Sequence, residues 1–128
     1  MGAPITSIYA ALCGILMIAL ATRVSMLRRR YGVGIGSGGH EPLARTVRAH
    51  ANFVEYVPLA LILMLLAEGG GVSGWLMHLF GITLIVSRLL HAAGLASTAG
   101  ASFGRFFGTL GTWGLILVLA VLLLLRQV

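Results

Sequence analysis

The side chains best suited to chemistry in this sequence recur along one stretch, between apolar residues. They are Arg45, Arg48, Asn52, Glu55 and Tyr56. On a helix, which turns about 100° per residue, the five share an arc of about 100° over several turns. Two guanidiniums, an amide, a carboxylate and a phenol on one face predict a polar pocket. Because arginines outnumber carboxylates, the pocket favours an anionic ligand that carries carboxylates.

A later apolar stretch contains a second polar group, which includes Arg88 and His91. Glu68 marks the outer end of one predicted helix and Trp75 that of the next. Glu55 precedes Glu68 by thirteen residues, and Arg88 follows Trp75 by thirteen. Antiparallel helices would therefore place Glu55 and Arg88 at the same depth, about 20 Å from the outer end of each helix. An unpaired charge at that depth costs a few kcal/mol or more. For Glu55 and Arg88 alone, we favour a structural ion pair, with Arg45 and Arg48 against lipid headgroups. For all of these polar residues together, we favour a polar pocket.

The elements that position these residues are predicted to be membrane helices. Hydrophobic residues make up 59% of the 128 residues and charged residues 9%, against about 45–50% and about 25% in soluble proteins. Backbone groups have no partners in lipid, and the long apolar runs lack the alternation of barrel strands. The sequence predicts an all-α, integral-membrane four-helix bundle. It forms a single domain over residues 1–128, with helices over about 4–27, 42–67, 74–96 and 104–126.

The distribution of charge predicts the orientation in the membrane. All nine basic residues are arginines, and six of them lie between positions 23 and 48. The connection between the second and third helices has no basic residue. By the positive-inside rule, the first loop (the glycine-rich segment 31–41) and the third loop are cytoplasmic and both termini are outside. The net charge of +6 is thus assigned to topology and an anion pocket, and no nucleic-acid partner is expected.

The cysteine and the histidines do not predict a metal site. Cys13 is the single cysteine, within the first apolar stretch, and the four histidines show no metal-ligand spacing. No metal cofactor is therefore expected.

Small residues in the fourth helix predict close helix packing. Gly104 and Gly108 form a GxxxG pair, which Gly111 and Gly114 continue. Such tracks let membrane helices approach closely. Since a single bundle of this size is thin, we expect an oligomer with the pocket between subunits.

The polar stretch resembles a known family. The run Arg45-x-x-Arg48-Ala-His50-x-Asn52-x-x-Glu55-Tyr56-x-Pro58 closely resembles the second-helix motif of the MAPEG family, the membrane-associated proteins in eicosanoid and glutathione metabolism. The later segment Arg88-x-x-His91-x-x-Gly94 supports the resemblance. Helix order and length are similar throughout, and the sequence looks most like the bacterial inner-membrane branch of the family.

The resemblance implies a homotrimer that binds glutathione between neighbouring subunits near the cytoplasmic face. Its partners would be further copies of the chain, membrane lipid and a lipophilic small-molecule substrate. The residues implied in glutathione binding are Arg28, Arg45, Arg48, Asn52, Glu55, Tyr56, Arg88 and His91. The arginines would bind the two carboxylates, and Glu55 would bind the ammonium or orient an arginine.

The implied chemistry is attack of the glutathione thiolate on an electrophile. In the family's eicosanoid enzymes, an arginine at the start of the fourth helix stabilises the thiolate. Arg105 is the nearest catalytic candidate, although an ungapped alignment places Ser102 at that position. Where those enzymes have paired tyrosines at the end of the third helix, this sequence has His91 and Leu95, and leucine cannot donate a hydrogen bond.

These features are compatible with three functions. The first is a glutathione transferase or peroxidase that acts on a lipophilic electrophile. The second is a non-catalytic membrane protein that binds glutathione or an anionic lipid, which the departures at His91 and Leu95 motivate. A small proton-coupled exporter is less favoured, because such proteins carry their carboxylate in the first helix among apolar neighbours, whereas Glu55 is in the second among arginines.

Overall fold

The computed structural model describes residues 2–126 and contains four long helices. They are α1 (Pro4–Tyr31), α2 (Glu41–Gly69), α3 (Gly74–Ser97) and α4 (Phe103–Leu125). Prolines in the first turn start α1 and α2, where their missing N–H group is not needed. Each helix is long and apolar enough to cross a membrane. The prediction of an all-α bundle with four membrane-spanning helices is confirmed, and no strand occurs among the described residues.

Helices α2 and α3 form the centre of the bundle. Each of them contacts the three other helices, whereas α1 and α4 do not contact each other within residues 2–126. The start of α1, the end of α4 and the α2–α3 connection lie at one end of the bundle, since Arg126 donates to the Gly70 carbonyl and Glu68 contacts the start of α1. We call the opposite end, with the α1–α2 and α3–α4 connections, the loop end.

The glycines of α4 pack against α3 of the same chain. A Cβ atom added at Gly104 would lie 2.5 Å from the Leu90 carbonyl oxygen, and one at Gly108 would lie 2.5 Å from the Ser87 carbonyl oxygen. Gly114, by contrast, has no described atom within 4 Å of such a Cβ. The close approach that the GxxxG spacing predicts thus forms inside the subunit, so it does not by itself supply an interface between subunits.

The main apolar core lies mostly in the half of the bundle away from the loop end. Its largest buried apolar side chains include Phe53, Met64, Met77, Leu84 and Leu119. Large apolar side chains on the outer surface of all four helices are exposed, as expected for a bundle that faces lipid. Polar side chains are instead buried towards the loop end, around Asn52, Arg88 and His91.

Glu68 fixes the start of α1. Its carboxylate oxygens accept hydrogen bonds from the backbone N–H groups of Ile5 (2.9 Å) and Thr6 (2.7 Å). These N–H groups have no partner within the helix, and a negative charge is favourable beside them. One helical turn farther along, the ring of Tyr9 packs against Gly81. Both contacts hold α1 against the rest of the bundle.

Candidate functional site

Arg48 and Glu55 form an ion pair on the surface of α2. Arg48 Nη1 donates to Glu55 Oε1 and Nη2 donates to Oε2, both at 3.2 Å. The two residues are two helical turns apart, and their side chains are about half exposed. The predicted ion pair between Glu55 and Arg88 was therefore wrong. A matched depth in two helices does not make two side chains point at each other, and Arg48 reaches Glu55 along its own helix.

Arg88 is instead held by neutral oxygens in the interior. Its side chain is 2% exposed, and it donates from Nη2 to Asn52 Oδ1 (2.7 Å) and from Nη1 to Thr112 Oγ1 (3.2 Å). Among the described residues, no carboxylate pairs with Arg88. The network joins α2, α3 and α4 and leaves an uncompensated positive charge inside the bundle, which is costly unless a polar surrounding or a ligand stabilises it.

Beside this network lies a cleft of about 590 Å³, formed by α2, α3, α4 and the α3–α4 connection. Its polar wall includes Arg48, Asn52, His91, Ser102, Arg105 and Thr109. Its apolar wall is formed mainly by Leu95, Phe106, Leu110 and Trp113. Three of these, Phe106, Leu110 and Trp113, are more than half exposed on the outer face of α4. The cleft thus combines a cationic end with an apolar side that faces the lipid.

His91 lies in the wall of the cleft. It is 5% exposed, and its Nδ1 has no hydrogen-bond partner within residues 2–126. Leaving a buried polar atom unpaired costs about 1–3 kcal/mol. An unpaired atom in the wall of a cleft is accordingly a position where a ligand could supply the partner.

Both candidates for the thiolate-stabilising position line the cleft. Arg105 Nη1 donates to the carbonyl oxygens of Ala99 (2.8 Å) and Gly100 (2.6 Å), which fixes the α3–α4 connection. Ser102 caps α4 by accepting a hydrogen bond from the Arg105 backbone N–H. Since a guanidinium has five N–H donors, Arg105 keeps donors for a ligand while it holds this connection. The three-residue difference between the two alignments is one turn at the start of α4, inside the same cleft.

Not all of the predicted site residues lie together. Glu55 and Tyr56 adjoin the cleft through Arg48 and through Trp113, whose ring centroid is 6.2 Å from that of Tyr56. Arg45 lies on a different cavity, where it donates to the Ala96 carbonyl oxygen. Arg28 donates to the Val33 and Gly36 carbonyl oxygens of its own loop.

The contribution of α4 to the apolar wall was not among the predictions from sequence. Phe106, Thr109, Leu110 and Trp113 stand at positions i, i+3, i+4 and i+7, which places them on one helical face. That periodicity could have been recognised, but apolar residues on a membrane helix are indistinguishable by type from lipid-facing ones. Within the described chain, no group of three His, Cys, Asp or Glu side chains could hold a metal ion.

Fold and site together define a four-helix membrane protein with an arginine-rich cleft that opens on the side of the bundle. The sequence profile of the MAPEG family matches residues 6–125, and the chain therefore belongs to the MAPEG family. This confirms the resemblance seen in the second-helix motif.

Two curated relatives are both named inner membrane protein YecN, from Escherichia coli strain K12 and from Escherichia coli O6:H1. Each is 39% identical over 90 residues, which cover 70% of this chain and 69% of the relative. Together with the four apolar helices, they identify the chain as a multi-pass inner membrane protein of bacterial type.

Proposed function

We propose that this protein is a glutathione-dependent transferase or peroxidase of the inner membrane, acting on a lipophilic electrophile that enters from the bilayer. The observation that carries the proposal is the cleft itself. Arg48, Arg105 and the unpaired Nδ1 of His91 lie at one end, and the exposed apolar side chains of α4 form the other. A charged thiol peptide and an apolar electrophile have opposite solvation requirements, which these two walls match.

The residues of the cleft would have different roles in binding. Arg48 and Arg105 would bind glutathione carboxylates through charge-assisted, bidentate hydrogen bonds. Glu55 would bind the ammonium group or keep Arg48 in position, as its ion pair does now. Asn52 and Arg88 would act behind them, since both are largely buried, and Tyr56 would pack beside Trp113. A guanidinium close to the sulfur favours the ionised thiolate, which is the attacking species.

Calorimetric titration of the detergent-solubilised protein with glutathione tests the site. Arg48→Ala and Glu55→Ala should abolish measurable binding, whereas Arg29→Ala should not, because Arg29 is an exposed arginine at the same end of the bundle that lines no cleft. Wild-type protein should also conjugate glutathione to a chlorinated nitroaromatic, releasing chloride. Undiminished glutathione binding in both cleft variants would contradict the assignment.

The cleft is open on one side, and we propose that a neighbouring subunit of a homotrimer closes it. Arg28, which lies outside the cleft of its own chain, would then contribute from the neighbour. Native mass spectrometry should give a mass of three chains. A mass of one chain under conditions that retain glutathione binding would refute both statements.

We further propose that the loop end is cytoplasmic and that both termini are outside, as the arginine distribution indicates. A cysteine placed in the α1–α2 loop by Ser37→Cys, in a Cys13→Ala background, should react with an impermeant thiol reagent only after the membrane is opened. Labelling in intact spheroplasts would indicate the opposite orientation.

A non-catalytic glutathione-binding protein is the second candidate, and Leu95 is the observation that favours it. This buried side chain occupies the cleft wall, where the family's enzymes place a hydrogen-bonding tyrosine. Glutathione binding without the ultraviolet absorbance of a thiolate would support this candidate over catalysis. The exporter alternative gains no support, because the carboxylate it needs is ion-paired with Arg48.

A further inference from the structure

A second cavity, of about 520 Å³, lies between α1, α2 and α3 at the loop end. Three arginines line it, one near the end of the apolar part of α1, one at its last turn and one on α2: Arg23, Arg30 and Arg45. The rest of the lining is mostly apolar and includes Leu20, Leu27 and Leu89. None of these residues lines the proposed glutathione cleft; Arg45, which the family resemblance had included among the glutathione-binding residues, lines this cavity instead.

The cavity is lined by both cationic and apolar side chains. Leu20, Arg23, Leu27 and Arg30 recur every three or four residues and so share one face of α1. From the first to the last of them, α1 rises about 15 Å. Leu20 lies at the membrane-interior end of this face and Arg30 at the loop end, and Arg23 lies between Leu20 and Leu27, so leucines and arginines alternate along the cavity.

The arginines of this cavity are largely uncompensated. Arg23 and Arg30 make no hydrogen bond or ion pair to any residue that the structure describes. Arg45 Nη1 donates to the Ala96 carbonyl oxygen at 3.2 Å, and its buried Nε lies 3.6 Å from Glu41 Oε1, which is too long for a hydrogen bond. Glu41 is the single carboxylate nearby and its side chain is 66% exposed. Three positive charges therefore face the cavity against one largely hydrated negative charge.

We propose that this cavity binds the phosphate headgroup of an anionic phospholipid, with an acyl chain against the leucines. Guanidiniums bind phosphate oxygens bidentately, and basic groups at the membrane surface attract anionic lipid. A soluble anion would satisfy the arginines but leave the apolar part of the cavity empty. The lipid site shares only Leu95 with the lining of the glutathione cleft. It goes beyond the proposed function, because it would anchor the α1–α2–α3 side of the bundle whether or not the cleft is catalytic.

Native mass spectrometry of protein released from nanodiscs tests the proposal, with phosphatidylglycerol as the anionic probe and phosphatidylcholine as the zwitterionic one. Wild type should retain phosphatidylglycerol preferentially. The double variant Arg23→Gln/Arg30→Gln should lose this preference by about tenfold or more, since the loss of a single hydrogen bond to a charged group is enough for a tenfold change in affinity. Arg29→Gln is the matched control, an exposed arginine in the same run that lines neither cavity, and it should behave as wild type.

The double lysine variant Arg23→Lys/Arg30→Lys keeps both charges and should show an intermediate loss, because lysine cannot bind phosphate bidentately. Glutathione titration of each variant separates this proposal from the previous one: the Arg23/Arg30 variants should bind glutathione normally, and Arg48→Ala should retain the lipid. Equal retention of phosphatidylglycerol by wild type and the glutamine double variant would overturn the proposal. Displacement of the lipid by millimolar inorganic phosphate would assign the site to a free anion and overturn it as well.

Discussion

Replacement of Asn52 by alanine is expected to destabilise the bundle through Arg88. Asn52 Oδ1 is the nearer of the two hydrogen-bond acceptors of this buried guanidinium, at 2.7 Å against 3.2 Å for Thr112 Oγ1. Hydrogen bonds to charged groups contribute about 1.5–3 kcal/mol, and the loss of one partner leaves the charge poorly compensated. We therefore expect Asn52→Ala to lower the free energy of unfolding by about 2–3 kcal/mol, and Thr112→Val by about 1–2 kcal/mol.

Unfolding by titration with sodium dodecyl sulfate, followed by circular dichroism, provides the measurement. Thr109→Val is the matched control, because Thr109 lies one turn before Thr112 and makes no hydrogen bond to the described residues through its hydroxyl. The double variant Asn52→Ala/Arg88→Met supplies the decisive comparison. Once the buried charge is removed, loss of Asn52 should cost much less, giving a coupling energy of about 1–3 kcal/mol. Additive effects of the two substitutions would refute the account of Arg88 as a charge that depends on Asn52.

Four further substitutions test the packing of α4, the start of α1 and the apolar wall. Gly108→Ala should separate α3 from α4 and lower the unfolding midpoint, because its Cβ would lie 2.5 Å from the Ser87 carbonyl oxygen; Gly114→Ala, with open space, should be neutral or stabilise by up to about 1 kcal/mol. Glu68→Gln should lower stability by about 0.5–2 kcal/mol, as its charge at the start of α1 is lost, and proteolysis should then release α1 first. Trp113→Ala should raise the KM for the lipophilic substrate while glutathione affinity, measured by calorimetry, stays within twofold.

The number of helices and their membrane character follow from the sequence because they depend on length and hydropathy alone. Four apolar runs separated by polar or glycine-rich segments permit little else in lipid. The polar face of α2 was predicted from helical periodicity, and two of its residues, Arg48 and Asn52, line the cleft. The prediction of a Glu55–Arg88 pair was wrong because an equal depth in two helices does not fix the rotation of each helix about its axis. That rotation decides where the side chains point. Asn52, one turn before Glu55, is the side chain that faces Arg88.

Arg45 and Arg48 line different cavities for the same reason, because the sequence does not fix how α2 is rotated against its neighbours. The two residues are one turn apart, about 60° around α2, and periodicity places them on a single polar face. In the bundle, however, α1 packs against one side of α2 and α4 against another, so Arg45 faces the cavity next to α1 and Arg48 the cleft next to α4. Periodicity fixes the angle between two side chains of a helix, but the position of the neighbouring helices decides which cavity each side chain enters. Because α2 lies between the two cavities, substitutions at Arg45 and Arg48 should affect different ligands: the proposed phospholipid for Arg45 and glutathione for Arg48.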